Sequence, residues 1–278
     1  MPTCFITGTT HGIGTVTARE IARTGHRVIM GVRDVVRGAA LARDIVRTTG
    51  NDAVSVLPLD LADFASVRTC AARLLAETAS LDLLINNAGT MSARRELTPD
   101  GHELMFATNH LGPFLLTHLL LPRLRESAPA RIVNVASRAH GRGHFDFDDL
   151  SLARGFAGMA AYGRSKLGNV LFTLALSRRL AGSGVTVNCL HPGVVATNII
   201  PANSPLLSFA APLAKLFMLS PERGARCTLK LALSPEVAGI SGAYFDARGH
   251  VTPPAPAARD LDLQERLWRV SAELTGIA

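Results

Sequence analysis

Short, unbroken apolar runs alternate with amphipathic stretches from one end of the 278-residue chain to the other. The runs at 3–7, 27–32, 53–58, 81–86, 131–136, 185–190 and 242–245 predict strands, and most are apolar throughout. A strand without polar alternation is one covered on both faces, as in a parallel sheet flanked by helices. Between these runs, apolar residues recur at helical spacing over 13–24, 36–48, 65–79, 101–125, 160–181, 221–233 and 261–274. Regular alternation of this kind predicts an α/β fold: a doubly wound parallel sheet of about seven strands, with right-handed crossovers placing helices on both faces. No Pro- or Ser-rich linker divides the chain and no repeat is visible, so residues 1–278 are expected to form one domain. Two irregular stretches, 137–159 and 191–220, follow strands and so belong to the carboxyl edge, where such sheets bind ligands. The second is rich in Pro, Leu, Phe and Ala, and predicts a lid over an apolar ligand.

Composition narrows the classes of function. A net charge of +7 would suit nucleic acid, but the 26 arginines are scattered singly or in pairs and no basic run carries interleaved aromatics. They read as a solvated surface, and no nucleic-acid partner is expected. Cys4, Cys70, Cys189 and Cys227 lack metal spacing and lie in apolar stretches, as buried free thiols of a reducing cytoplasm would. The first strand begins at residue 3, which argues against a signal peptide or N-terminal anchor, and the apolar stretch 205–219 is interrupted by Pro212 and Lys215. A cytoplasmic protein without an integral span is the expectation. His140 and His144 have metal-compatible spacing but no third ligand is evident, so no metal is expected.

The first strand runs into Thr7-Gly8-Thr9-Thr10-His11-Gly12-Ile13-Gly14 and a helix follows at once. Glycines there permit a tight turn and close approach of backbone to pyrophosphate, which the helix N-terminus then attracts. The second strand ends in Val32-Arg33-Asp34, with Arg37 one helical turn on. An acid at the strand end would bond a ribose 2′-OH, whereas arginine matches a 2′-phosphate through two parallel hydrogen bonds. Val32 fills the place of the acid, so NADP(H) is expected as cofactor.

The chain holds only two tyrosines and three lysines, yet Tyr162 and Lys166 stand at i and i+4 near the start of a predicted helix. That spacing puts both on one helix face. A free phenol titrates near pH ~10, and a neighbouring ammonium would favour phenolate and bring that value down. Ser137 ends the fifth strand, where its hydroxyl could hold a substrate oxygen. The fourth strand ends in Asn86-Asn87-Ala88-Gly89, and the next helix carries Asn109.

With these residues in place the chain resembles the short-chain dehydrogenase/reductase family over nearly its whole length. The resemblance rests on TGxxxGIG, NNAG, Asn109, Ser137, YxxxK, and Pro192-Gly193 followed by Thr197. Within the family it is most similar to the retinol-dehydrogenase-like members, which include relatives of protochlorophyllide reductase. Four features point there: Val32-Arg33-Asp34 with Arg37-Gly38, Asn109-His110-Leu111-Gly112, the long Ser137-to-Tyr162 segment, and the closing Arg266-Leu267-Trp268-Arg269-Val270-Ser271. The resemblance implies a single-domain Rossmann fold and NADP(H). It assigns Tyr162 as general acid/base, Ser137 to the substrate oxygen, Lys166 to the nicotinamide ribose and Asn109 to a proton relay through water. Gly8, Thr10, His11, Gly12, Ile13 and Gly14 fall at the cofactor phosphates, and Arg33 and Arg37 at the 2′-phosphate. Asp60 and Leu61 are assigned to the adenine, and Asn87, Ala88 and Gly89 to the adenosine ribose side. Pro192, Gly193 and Val195 are placed with the cofactor, and Val194 and Thr197 flank its carboxamide.

The function expected is NADP(H)-dependent interconversion of a carbonyl and an alcohol on an apolar small molecule. Reduction of an activated C=C bond stands as an alternative, as does a cofactor-sensing regulator without turnover. By analogy with the fold, 101–125 and 160–181 are candidate pairing surfaces, leaving either a homodimer or a monomer open.

Overall fold

The computed structural model of the chain describes residues 1–194 and 219–277. Seven strands, β1 (Thr3–Thr7), β2 (Arg27–Val32), β3 (Val54–Pro58), β4 (Leu83–Asn86), β5 (Ala130–Val135), β6 (Val185–Leu190) and β7 (Tyr244–Phe245), form one sheet in the order β3-β2-β1-β4-β5-β6-β7. Every pairing is parallel. The strand order reverses between β1 and β4, which opens the crevice at the carboxyl edge that this topology uses for ligands. β3 lies at the sheet edge, which explains its exposed Ser55 and the tolerance of Pro58. β7 is two residues long rather than the four expected, because Gly242 takes φ +75° and Ala243 gives its N–H to the Asn188 side chain.

Helices α1 (Gly12–Arg23), α2 (Val35–Thr49) and α3 (Phe64–Glu77) follow the first three strands. Then come α4 (Leu104–Glu126), α5 (Gly158–Arg179), α6 (Pro221–Leu233) and α7 (Leu261–Thr275). Side chains that alternate along the strands sort into two cores. Cys4, Ile6, Val28, Met30, Ile85 and Val133 face α1, α2 and α6. Phe5, Ile29, Leu84, Ile132 and Val187 face α3, α4, α5 and α7. Continuous apolar runs are thus two alternating faces, each with its own helix layer. Within the second layer a polar ladder fixes α4 and α5 to the sheet. Asn86 donates to Asn134 (2.8 Å) and to Thr117 (3.0 Å), and Asn134 donates to Thr173 (2.9 Å).

α4 departs from the expected regular helix. Residues Ala107–Leu111 form a π turn before α-helical geometry resumes at Gly112. Pro113 has no N–H to offer the Asn109 carbonyl, and its ring would crowd that carbonyl in an α-helix, so the backbone widens there. By length and composition α4 could cross a membrane, but 72% of its most apolar stretch is buried within the fold. α7 lies across α4 and α5, over part of the surface expected to be available for pairing. Trp268 sits among Phe114, His118 and Phe172 with the Arg179 guanidinium 3.9 Å from its ring centre, and Ser271 bonds His110 at 2.8 Å.

His110, in the π turn, is stacked on Phe106 and enclosed by Phe114 and Phe172. Burial, with a smaller contribution from the Arg164 charge, pulls its pKa from 6.5 to about 3. The unfolded chain takes up this proton as pH falls through 6.5, while the native chain does not until about 3. The stability contributed by the neutral ring is therefore present above pH 6.5 and is lost progressively below it. His110→Gln is expected to lose less stability than the wild type between neutral pH and pH ~4.5 in urea unfolding. Equal losses would show that another group sets the acid sensitivity.

Candidate active site

The glycine loop is shaped by contacts that leave no room for side chains. Gly8 has φ +71°, and a Cβ on it would lie 2.5 Å from the Ala88 Cα; one on Gly14 would lie 2.2 Å from the Gly8 carbonyl oxygen. The loop after β4 clamps this turn: Asn87 Nδ2 donates to the Thr7 and Gly8 carbonyls at 2.9 Å each. The Thr7 hydroxyl accepts from the Asn87 and Ala88 N–H groups at 3.1 and 3.0 Å, and Thr15 donates to the Thr9 carbonyl at 2.6 Å. His11 occupies the N-cap of α1 without a capping hydrogen bond, its ring turned to Thr10 at 3.0 Å. No acid stands in the first turn, so the N–H groups beginning with Gly12 and Ile13 present an uncompensated positive end.

At the end of β2, Asp34 is committed to capping α2 and accepts from Arg37 N–H at 2.9 Å. That bond engages one of its two carboxylate oxygens. Arg33 and Arg37 are exposed, and among the described residues neither guanidinium pairs with a carboxylate. Arg37 lies close enough to the glycine loop to depress the His11 pKa, burial being the larger cause. Asp60, after β3, accepts from Ala62 N–H at 2.9 Å and gives its own N–H to Ser66 at 2.9 Å. Leu61 packs against Gly112, where a Cβ would lie 2.3 Å from the Leu61 carbonyl oxygen. The crevice is thus walled by the glycine loop, the Asn87-Ala88-Gly89 loop and the turn at Asp60. A Gly-lined cradle, an open helix terminus and two unpaired guanidiniums fit a dinucleotide that carries a further phosphate.

Across the switch point, Ser137 leaves β5 and caps a short 3-10 turn (Arg138–Arg142), accepting from Ala139 N–H at 3.2 Å. This turn lies against the first turns of α5 through two glycines. A Cβ on Gly143 would meet the Gly163 carbonyl oxygen at 2.6 Å, and one on Gly163 the Ala139 carbonyl oxygen at 2.9 Å. The contact brings Ser137 to Tyr162. Burial raises the phenol pKa, and the hydrogen bond from the Ser137 hydroxyl opposes the rise. Lys166 is 2% exposed, its Nζ donating to the Val135 carbonyl at 2.9 Å and lying 5.8 Å from the Tyr162 ring centre. Burial lowers its pKa to about 8. Lys166 is turned to the end of β5, and among the described residues the group that acts against the burial of the phenol is Ser137.

Asn109, on the π turn, uses its side chain as a clamp. Oδ1 accepts from Thr90 N–H at 2.7 Å, while Nδ2 donates to the Thr90 carbonyl and to Ser165 Oγ, both at 2.9 Å. Its backbone carbonyl is deprived by Pro113 of the usual α-helical donor. Pro192 and Gly193 follow β6, Gly193 with φ +86° and its N–H given to His191 Nδ1 at 3.1 Å. Val195, Thr197 and nearly all of the expected lid lie outside the described residues. Both His140 nitrogens are engaged: Ala255 N–H donates to Nε2 at 3.0 Å, so Nδ1 carries the proton toward the Ser137 carbonyl at 2.7 Å. Sequence reasoning missed four residues here. Pro113 within a predicted helix, and Gly143 three positions past His140, were visible signals. Glu103 and Arg164, which form a buried ion pair at 3.4 Å, gave none.

The profile of the "short chain dehydrogenase" family matches residues 2–205. Retinol dehydrogenase 13 of Homo sapiens is 46% identical over 281 residues, covering 99% of this chain and 85% of the relative. A crystal structure of an uncharacterized protein from Mycobacterium paratuberculosis is 37% identical with a TM-score of 0.78, covering 99% of this chain and 94% of the other. The Pseudomonas aeruginosa RhlG/NADP active-site complex is 28% identical with a TM-score of 0.70, covering 89% of this chain and 95% of the other.

The glycine contact between the Ser137 turn and α5 can be tested by volume. Gly143→Ala is expected to cost about 1–3 kcal/mol in urea unfolding, because its Cβ meets backbone that cannot yield cheaply. Gly141→Ala, whose Cβ would find only the Ala255 Cβ at 3.9 Å, is expected to stay within about 0.5 kcal/mol of wild type. Equal effects would disprove the close approach.

Proposed function

The chain belongs to the short-chain dehydrogenase family, and from that premise we propose that it is an NADP(H)-dependent oxidoreductase interconverting a carbonyl and an alcohol on an apolar small molecule. The observation that carries the reading is the convergence of Ser137, Tyr162 and buried Lys166 on the sheet edge that also holds the glycine loop. When bound, NADPH supplies the hydride to the substrate carbon. Tyr162 gives the phenolic proton to the carbonyl oxygen as that carbon is reduced, and takes it back in the alcohol-to-carbonyl direction. Ser137 donates a hydrogen bond to the same oxygen and stabilises the developing charge. The Lys166 ammonium, one turn along α5, reaches the ribose hydroxyls and favours the phenolate left behind. The widened turn at Asn109 offers a carbonyl through which water can return the proton.

NADP(H) rather than NAD(H) is supported by Arg33 and Arg37, by the use of Asp34 as a helix cap, and by the NADP held in the RhlG relative. An apolar substrate is supported by exposed Met159, one turn before Tyr162, and exposed Val194 beside Gly193. The name of the human relative, a retinol dehydrogenase, agrees with an apolar alcohol.

A panel of aldehydes and ketones with NADPH, read at the loss of reduced cofactor and by product analysis, tests this reading. Turnover that consumes an alkene and leaves the carbonyl intact would replace it. Tyr162→Phe is expected to lower kcat on the substrate found by about 100-fold or more while NADPH still binds. Full activity in that variant would remove Tyr162 from proton transfer. Arg33→Ala and Arg37→Ala are each expected to lower kcat/KM for NADPH by about 10-fold or more, from the loss of a charge-assisted bond, and to leave NADH turnover unchanged. An equal fall with both cofactors would contradict a 2′-phosphate site.

A further inference from the structure

Arg164 is among the largest side chains buried in the molecule, at 2% exposure, and it stands between Tyr162 and Lys166 on α5. Two positions along a helix turn a side chain by about 200°, so Arg164 faces away from both. It reaches α4. Its guanidinium lies 3.4 Å from Glu103 Oε2, 3.5 Å from the Asp149 carbonyl, and 5.1 Å from the Phe106 ring centre. Glu103 is equally confined. Its side chain is wholly buried, and its two oxygens accept from Met105 and Phe106 N–H at 2.9 Å each, capping α4.

An ion pair so placed is a poor source of stability, since apolar residues of similar volume often serve the fold as well. Directional geometry is what it provides. The neighbouring residue, Ser165, accepts from Asn109 at 2.9 Å and donates to the Tyr162 carbonyl at 2.8 Å. Adjacent residues of α5 thus grip α4 at two points, Glu103 at its start and Asn109 in its π turn. These two grips act on the first turns of α5, beside the Gly143–Gly163 contact and ahead of the Thr173 bond to Asn134 farther along the helix.

We propose that the Glu103–Arg164 pair is a positioning device that fixes the rotation of α5, and with it the aim of Tyr162 at Ser137 and of Lys166 at the end of β5. The proposal deepens the reductase reading above and rests on Tyr162 being its proton-exchanging group. Its primary test needs neither substrate nor cofactor. The chain holds two tyrosines, and the buried Tyr244 hydroxyl has no hydrogen-bond partner among the described residues. Tyr244→Phe breaks no hydrogen bond to the described residues and leaves Tyr162 as sole reporter of phenol ionisation, followed by absorbance with circular dichroism confirming the folded state.

In that background, Arg164→Met alone strands a buried carboxylate and lowers Tm. Adding Glu103→Gln removes the stranded charge, keeps an oxygen for the cap, and is expected to return Tm toward the parent. The double variant is nevertheless expected to titrate Tyr162 at higher pH, because a turned α5 weakens the hydrogen bond that the Ser137 hydroxyl gives the phenol. A parent-like titration in the folded double variant overturns the proposal and leaves the pair a merely structural role. Where turnover is measurable, the double variant in the natural Tyr244 background is expected to lose about 10- to 100-fold in kcat. Restored Tm with full kcat also overturns it. Failure of every carbonyl substrate would sink the reductase reading but leave the titration decisive.

Discussion

The Lys166 ammonium is held almost wholly out of water against the Val135 carbonyl, a placement that burial alone opposes. Its pKa falls from 10.5 to about 8 in the fold. Between those values the unfolded chain holds a proton that the native chain has released, so native stability rises with pH across that window. At neutral pH the cost is present in full. A charge kept where it destabilises the resting fold, beside a phenol and a strand-end hydroxyl, is most simply understood through a bound partner that restores hydrogen bonds to it.

The rest of the site follows from bringing α5 close enough to β5 to bury that ammonium. Gly143 and Gly163 allow the Ser137 turn to touch the helix, and the protonated Nδ1 of His140 fixes the Ser137 carbonyl from behind. Asn109 ties Thr90 and Ser165 together, which joins the Asn87-Ala88-Gly89 loop to the helix bearing Tyr162. The same loop clamps the glycine turn through Asn87. The glycine turn and the group of Ser137, Tyr162 and Lys166 are therefore one mechanical unit, although the glycine turn and α5 are far apart in sequence. The topology makes this possible, because β1, β4 and β5 are neighbours and all end at the same edge.

Much of this was legible in the sequence because it rests on local signals. Two-sided apolar runs, helical periodicity, a glycine turn after a strand and Tyr162 with Lys166 at i, i+4 all act within a few residues. What was not legible acts over long separations or through backbone geometry. Glu103 and Arg164 are 61 positions apart and read singly as ordinary surface charges. The π turn depends on Pro113 denying a donor to a carbonyl four residues earlier, which an apolar pattern does not register. The capping bond that Asp34 accepts from Arg37 N–H was likewise not apparent from the strand-end motif. The mutual approach of Tyr162 and Lys166 was read as an electrostatic pairing. In the fold the helix spacing holds, but burial and the strand end decide where the ammonium points.

The arginines make the same point more sharply. Read as composition, 26 of them in a chain with three lysines suggest a solvated surface chosen without much regard to position. Several are nothing of the kind. Arg131 donates to the carbonyls of Leu231, Ala232 and Ser234, closing the C-terminal end of α6, and Arg68 does the same for α7 at Thr275 and Gly276. A guanidinium suits these tasks because its planar fork serves several carbonyls at once and keeps its charge when half-buried. Arg33 and Arg37 stand out by contrast, since they are exposed at the end of β2 and the start of α2 with no carboxylate partner among the described residues. A basic residue in this chain is therefore informative through what it fails to contact inside the protein, and that is the support these two lend to the proposed 2′-phosphate site.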